Sequence, residues 1–474
     1  MFQKKSSNAT QETNVNRISQ LSISDDPFER YRFFGAMYDS NNLYTEIKRT
    51  ADQNGDYFEN IFSIANATHR SVEFYANRLM LNARITTKNQ LLLDALNQFW
   101  MDTNFLGTKD NNSRELAKNG DLFIKLENDR TKVWMKKIEP RHVTTVEADS
   151  RGVVIEIRID IPIEDNKTWT EFWTLDNGGY TAVWEHDQGI NAELNTLGTP
   201  KYYATLSQYG ITFIPIIWAR FTSGDKRAEN CFVHAISKMI EGDREHSRLA
   251  EIIYAFNNAI YTIESNAVAD NGQFVGQPRV SFIKGDNGMV MQHVKNGTLK
   301  PNIPQLDYAS HIKLIEITKE EIMQDLPETR LNSLDPTQAT GCAIEQMLGE
   351  SVSRAKTGRF NLVQEFRRLN MMALTIGQHF NIFDKSIGTY EEGNFQHEIL
   401  CDSVIPLSKT DKSLMLQQFT SARMPLKAAL RECEYSQAEI DQIMADKAEE
   451  EASLANQFLN NPAFSKDTNA NQGG

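Results

Sequence analysis

Residues Leu331–Met347 read LNSLDPTQATGCAIEQM. A polar loop with one proline and one glycine here opens a helical pattern that runs on for about three dozen residues. Ile344, Leu348, Val352, Ala355, Leu362, Phe366, Leu369, Ala373, Ile376 and Phe380 fall on one stripe of that helix. Such a stripe demands a surface to pack on, whereas the loop before it demands none. Asn332, Ser333, Asp335, Thr337, Gln338 and Thr340 are short and polar, Pro336 limits the bend and Gly341 permits it. The bland reading is a surface connection, since most polar loops are connectors.

Upstream of the loop, Tyr308, Ile312, Ile315, Ile322 and Leu326 recur near heptad spacing, and the helix they predict stops before Pro327. Residues 226–264 are expected to be helical too. Phe232, Val233, Ile236, Met239, Ile240, Leu249, Ile252, Ile253, Phe256, Ile260 and Ile263 keep one apolar side, interrupted by the charged EGDREHSR. Between these helices, residues 265–307 are rich in Gly, Asn and Pro and predict short strands and turns. A long helical pair with a small excursion at its tip buries little by itself. It needs neighbours, which predicts an oligomer.

Towards the N-terminus the period changes. YFENIFSIANATHRSVEFYANRLM, LLLDALNQFW and NSRELAKNG predict helices, the last closed by Gly120. DLFIKLENDRTKVWMKKI then reads as strand, turn, strand. HVTTVEA, GVVIEIRIDIP, TWTEFWTL, GYTAVWEH and ITFIPIIWARF continue as a meander, with DNGG as a hairpin signal. Residues 25–225 are therefore expected to be α+β, helices first and a mostly antiparallel sheet after. Residues 411–457 predict two or three helices, one started by Pro425 and one by a Ser436–Glu439 capping box. Residues 1–24 and 458–474 are polar and are expected to be disordered tails.

The 474 residues and 40% hydrophobic content allow more than one core. A net charge of −13 argues against a basic coat gripping nucleic acid along its length, but does not exclude local basic patches or a protein that lets a polyanion slide past. Cys231, Cys342, Cys401 and Cys433 show no CxxC spacing and suit a reducing compartment. MFQKKSSNATQETNVNRISQ has no apolar core of a signal peptide, and no run reaches the ~18 apolar residues of a membrane span. A soluble intracellular protein is expected.

Catalytic motifs are missing. There is no GxxxxGK[ST], no HExxH and no GxSxG, so no catalytic residue, metal or cofactor is expected. Asp243 and His246 stand three apart, but a metal site needs further ligands. Asp25–Asp26 and Glu449–Glu451 read as solvated charge. Two basic clusters stand out against the acidic background. Arg354, Lys356, Arg359, Arg367 and Arg368 face a single acid, Glu365. They suit either phosphate contacts or a solvated face with inter-subunit salt bridges. Arg279, Lys284, Lys295 and Lys300, against Asp286, suit a soluble insert or a docking surface for an acidic partner.

The order of these elements resembles the portal proteins of tailed bacteriophages. THRSVEFYANRLM is similar to the early wing helix of that family. ELAKNGDLFIKLEND…KKIEPRHVTTVEAD is similar to its small helix, Gly, hairpin and following strand. YASHIKLIEITKEEIMQDL, the polar loop and ATGCAIEQML resemble its stem helix, tunnel loop and kinked helix. SARMPLKAALRECEYSQAEIDQIMADKAEEEA resembles its C-terminal segment. The likeness covers roughly residues 30–455, and Thr340 replaces the commoner Ser before Gly341.

The resemblance implies a ring, usually of twelve subunits, at one capsid vertex of a virion assembled in the host cytoplasm. Double-stranded DNA passes through its centre, met weakly and without reading bases. It implies a wing (25–225 and 342–410), stem helices (226–264 and 308–326) and a clip (265–307). A tunnel loop (327–341) and a crown (411–457) complete the mapping. Asn332, Ser333, Leu334, Asp335, Pro336, Thr337, Gln338, Thr340 and Gly341 would face DNA. The implied partners are the terminase large subunit, which supplies ATP hydrolysis, head-completion or adaptor proteins, and major capsid and scaffolding proteins. No membrane is implied. Two other readings compete: a virion connector or capsid-associated protein without DNA passage, and a nucleic-acid enzyme with an unfamiliar site.

Overall fold

The computed structural model describes residues 26–40, 45, 67–164, 166–224, 227–257, 260–265, 282–285, 288–291, 297–302, 308–333, 346–390, 395–405, 409–433, 435 and 437–459. The fold is α+β. Helix α1 (Pro27–Asp39) opens with Pro27 at its first turn and with the Asp26 carboxylate accepting from the Phe28 N–H. Helix α2 (Ala67–Ala76) and the short strand β1 (Arg84–Thr86) follow. Helix α3 (Gln90–Asp102) is capped by Asn89, whose side chain accepts from the N–H groups of Leu91 and Leu92. Helix α4 (Phe105–Asn119) ends where Gly120 turns left-handed at φ 83°. A Cβ there would stand 2.5 Å from the carbonyl oxygen of Ala228, so conformation and close packing both require glycine.

The period-two region forms two antiparallel sheets. Strands β2 (Asp121–Asn128) and β3 (Val133–Ile138) make the expected hairpin, with Phe123 opposite Ile138. Asp129 closes its turn by accepting from the N–H groups of Thr131 and Lys132. Strands β4 (Val143–Ala148), β5 (Val154–Pro162), β6 (Thr168–Thr174), β7 (Tyr180–His186) and β8 (Tyr202–Thr205) form a meander. Strand β9 (Ile216–Arg220) departs from the expectation. It leaves the meander and pairs with β2, Asp121 opposite Arg220 and Phe123 opposite Trp218. Pro215, which has no N–H to give a ladder, separates it from the preceding apolar residues. Strand β8 takes the fifth place in the meander. KYYATLSQ is too short and polar to announce a strand by itself.

Helix α5 runs from Ile236 to Asn257, shorter than the helix expected over 226–264. Its charged stretch does not interrupt it, because Glu241–Arg244 and Glu245–Arg248 pair one turn apart at 2.5 and 2.8 Å. Ile260 and Ile263 belong instead to strand β10 (Ile260–Ser265), a β-branched and aromatic run. Strands β11 (Phe282–Gly285), β12 (Gly288–Met291) and β13 (Gly297–Asn302) complete the insert as two antiparallel pairs, β10 with β13 and β11 with β12. Helix α6 (Tyr308–Asp325) ends before Pro327. A 3-10 segment, Pro327–Ser333, follows, and helix α7 (Gly349–His379) is 31 residues long. Strand β14 (Glu398–Leu400) pairs with β1. Helices α8 (Lys409–Ser421), α9 (Leu426–Glu432) and α10 (Gln437–Leu459) end the described chain. Pro425 caps α9; Ser436, and with it the capping box, lies outside the described residues. Helix α10 runs two residues into the segment expected to be a tail, and residues 1–24 and 460–474 lie outside the described ones.

One hydrophobic cluster joins α1, α2, α3, α4, both faces' inner strands and α7, from Tyr31 to Val404. Helix α7 threads it: Val352, Ala355, Leu362, Phe366, Leu369, Ala373 and Ile376 of the expected stripe are all buried. Each large side chain buried there contributes about 1.5–3 kcal/mol. At the back of the cluster the carboxylate of Asp121 accepts from the Tyr31 hydroxyl at 2.5 Å, the Trp218 indole at 2.7 Å and the Ala228 N–H at 3.2 Å. That network fastens α1 and the chain after β9 to β2.

Candidate functional site

The loop that opened the sequence reading is framed on both sides. Asn332 and Ser333 end the 3-10 segment; Leu334, Asp335, Pro336, Thr337, Gln338, Thr340 and Gly341 lie outside the described residues. Before the loop, Glu328 is buried and accepts from Ser71 of α2 and, at 2.6 Å, from Ser351 of α7. Burial pushes the Glu328 carboxyl above its usual range, against the two serine hydroxyls that favour its ionised form. Arg354 donates to the Asp325 carbonyl at 3.3 Å, and Lys238 of α5 pairs with the Asp325 carboxylate at 2.9 Å. The end of α6, the start of α7 and the side of α2 are thus tied together around the loop's two stems.

The basic cluster on α7 divides. Arg359 donates to the carbonyls of Leu79, Arg78 and Asp402, the first at 3.0 Å. Arg368 donates to the carbonyls of Gly152 and Arg151 at 3.0 and 2.9 Å and to Glu365 at 2.6 Å. Arg354 adds Glu350 at 2.5 Å. These three guanidiniums bracket α7 to the turn after α2, the β4–β5 turn and the end of α6. Arg367 reaches Gln364 at 3.3 Å and shares with Lys356 the helix's outward stripe, where Phe360 is 64% exposed. Glu365 is buried among Arg368 and Arg220, and burial raises its carboxyl to about 7.

In the insert, Lys284 lies in β11 and Lys300 in β13 opposite Thr262; Arg279 and Lys295 lie outside the described residues. Asp243 and His246 both lie on α5, where Asp243 is buried. Among the described residues no group of three or more His, Cys, Asp or Glu is placed to hold a metal ion. No helix among them is long and apolar enough to cross a membrane.

The α5–α6 pair is the other notable geometry. Gly242 lies against Thr318 and Ile322, Lys238 pairs with Asp325, and β10 pairs antiparallel with β13 beyond the helix ends. Helices α5 and α6 run antiparallel, as do strands β10 and β13. At 1.5 Å per helical residue, the α5–α6 pair is about 30 Å long. Only one side of α6 is covered. Ile312, Leu314 and Ile317 are 47%, 45% and 44% exposed, and Ile253 on α5 is 47% exposed. No local signal marks Glu328, whose partner Ser71 lies 257 residues away in the chain. Phe360 also goes unremarked from sequence, although that residue stands off the apolar stripe.

No family model matches the chain, and no curated protein matches it. Among solved structures, the neck of an empty GTA particle computed with C6 symmetry aligns at 12% identity and a TM-score of 0.42, covering 74% of this chain and 85% of that one. The neck of a native GTA particle computed with C12 symmetry aligns at 11% identity and a TM-score of 0.39, covering 77% and 89%.

Proposed function

We propose that the chain is one subunit of a portal-type ring at a capsid vertex, a structural conduit for double-stranded DNA and not an enzyme. The observation that carries this reading is the antiparallel α5–α6 hairpin, about 30 Å long by its helical rise. On α6, Ile312 on one side and Leu314 with Ile317 on another stand in water on a single subunit. Exposed apolar side chains on two sides of one helix mark interaction surfaces. Neighbouring hairpins cover these two sides, and the contact repeats head to tail until the ring closes. The sequence resemblance supplies the family, the usual number of twelve subunits and the virion location.

In this reading the hairpins form the channel wall and the β10–β13 insert the outer tip, where the terminase and later the head-completion or adaptor proteins dock. The body built on α7 faces the major capsid and scaffolding proteins. The loop over 334–341 borders the channel. Its short polar side chains meet phosphates weakly, which positions DNA without reading it. The net charge of −13 per subunit lets DNA pass without being held. Two substitutions test the reading. Ile312→Asp with Ile317→Asp is expected to leave a folded subunit that forms no ring. Asp335→Lys is expected to leave rings intact and impair DNA packaging. Normal packaging by the Asp335→Lys ring would remove the loop from the channel.

A further inference from the structure

Where α6 gives way to the 3-10 segment Pro327–Ser333, three distant parts of the chain meet at one carboxyl. Glu328 is 3% exposed. Its Oε1 meets the Ser71 hydroxyl of α2, and its Oε2 meets the Ser351 hydroxyl of α7 at 2.6 Å. The Ser71 hydroxyl also stands 3.5 Å from the Sγ of Cys231, which lies between β9 and α5 and is itself buried.

What that acid does depends on what balances its charge. Ser71 and Tyr75 face it from α2, Cys231 from the chain before α5, and Ser351 and Arg354 from α7. The Arg354 guanidinium is committed to the Asp325 carbonyl at 3.3 Å and to Glu350 at 2.5 Å, and Lys238 pairs with the Asp325 carboxylate. Among the described residues no lysine, arginine or histidine bonds Glu328 itself. A carboxylate buried without a bonded cation is costly. Burial accordingly holds this carboxyl above its usual range, and holds the Tyr75 phenol and the Cys231 thiol above theirs. The partners suit both protonation states, because a hydroxyl donates or accepts as required. With its proton, Glu328 donates to Ser71 and Ser71 to the Cys231 sulfur. Without it, both run in reverse: the thiol donates to Ser71 and Ser71 to the carboxylate. The contacts survive the change; the buried charge is what differs.

We propose that Glu328 is a proton-operated latch. Holding its proton, it fastens the end of α6 to α2 and α7; on losing it, the joint opens locally and uncovers Cys231. The latch works within one subunit and stands without the ring reading. In the opened joint the acid releases its proton near about 4.3, as an ordinary glutamate does. In the closed joint burial keeps the proton on above that pH. The preference for the closed joint is therefore complete below about 4.3 and is lost as pH rises through the closed-state value.

The test is the rate at which N-ethylmaleimide labels each cysteine of the full chain, read by peptide mass. Each rate is divided by that of the urea-unfolded chain at the same pH, which removes the thiol's own titration. From about pH 5 to about pH 8 the corrected Cys231 rate is expected to rise about tenfold or more, a factor of ten for each unit of displaced pKa. Glu328→Gln cannot ionise and should stay flat over the same range. Ser351→Ala removes a hydroxyl that favours the ionised form, so the rise should move to higher pH. Cys433, buried in the C-terminal helices, should stay level throughout and so mark the opening as local. A flat wild-type Cys231 rate would overturn the proposal. So would the same rise in Glu328→Gln, an unmoved rise in Ser351→Ala, or a Cys433 rate that climbs in step with that of Cys231.

Discussion

Helix α7 and the α5–α6 hairpin solve the burial problem in opposite ways. Helix α7 has core on nearly every side, fifteen buried residues, and three arginines bonded to backbone carbonyls of distant segments. Helix α6 touches α5 and the segments at its own ends, and leaves three large aliphatic side chains in water. The first region completes itself inside one chain. In the proposed ring, neighbouring copies complete the second. Subunit stability should therefore respond to α7 and its surroundings, and assembly to the hairpin.

The largest expected effect on the subunit is at Asp121. Asp121→Ala leaves the Tyr31 hydroxyl, the Trp218 indole and the Ala228 N–H without their acceptor, and should cost about 3–5 kcal/mol in urea unfolding. Arg359→Ala strips donors from three carbonyls and should cost about 2–4 kcal/mol. A loss under about 0.5 kcal/mol at either position would dissolve the contrast, because that is the size of an ordinary surface substitution.

Glu365 sharpens the contrast through pH. Its carboxyl is raised to about 7 by burial, with Arg368 and Arg220 facing it. An unfolded glutamate releases its proton near about 4.3. Between those values the folded state holds a proton that the unfolded state has lost. This group's contribution to stability should therefore fall as pH rises from about 4.3 to 7 and stay level above that. Urea midpoints measured across that range should lose this part of their slope in Glu365→Gln. An identical slope in the variant would assign the titration elsewhere. The smallest expected effect on the subunit is that of Ile312→Asp with Ile317→Asp, within about 0.5 kcal/mol of wild type by urea unfolding. The same double variant should show the largest effect on assembly mass.

Much of the contrast could be read in the sequence. The α7 stripe from Val352 to Ile376, the stop before Pro327, the Gly120 cap and the β2–β3 hairpin are all local signals, and each is found where its residues put it. The misses arise where long-range pairing decides. Nothing local tells ITFIPIIWARF to leave its neighbours and join β2, and nothing in KYYATLSQ announces a fifth meander strand. Ile260 and Ile263 fit a helical stripe as well as a strand, and pairing with β13 decides between them. At the candidate site the five basic residues of α7 were visible as a cluster. That Arg354, Arg359 and Arg368 bond carbonyls of remote segments was not, since those partners are up to 281 residues away.

The most direct test of the central claim, that the hairpin is completed by neighbouring copies, is the mass of the purified protein at micromolar concentration with electron micrographs of the same sample. The account expects rings with a central hole and a mass near a dozen times 54.0 kDa, collapsing to single subunits in the Ile312→Asp, Ile317→Asp variant. A monodisperse wild-type monomer, or rings that the double substitution leaves untouched, would contradict it.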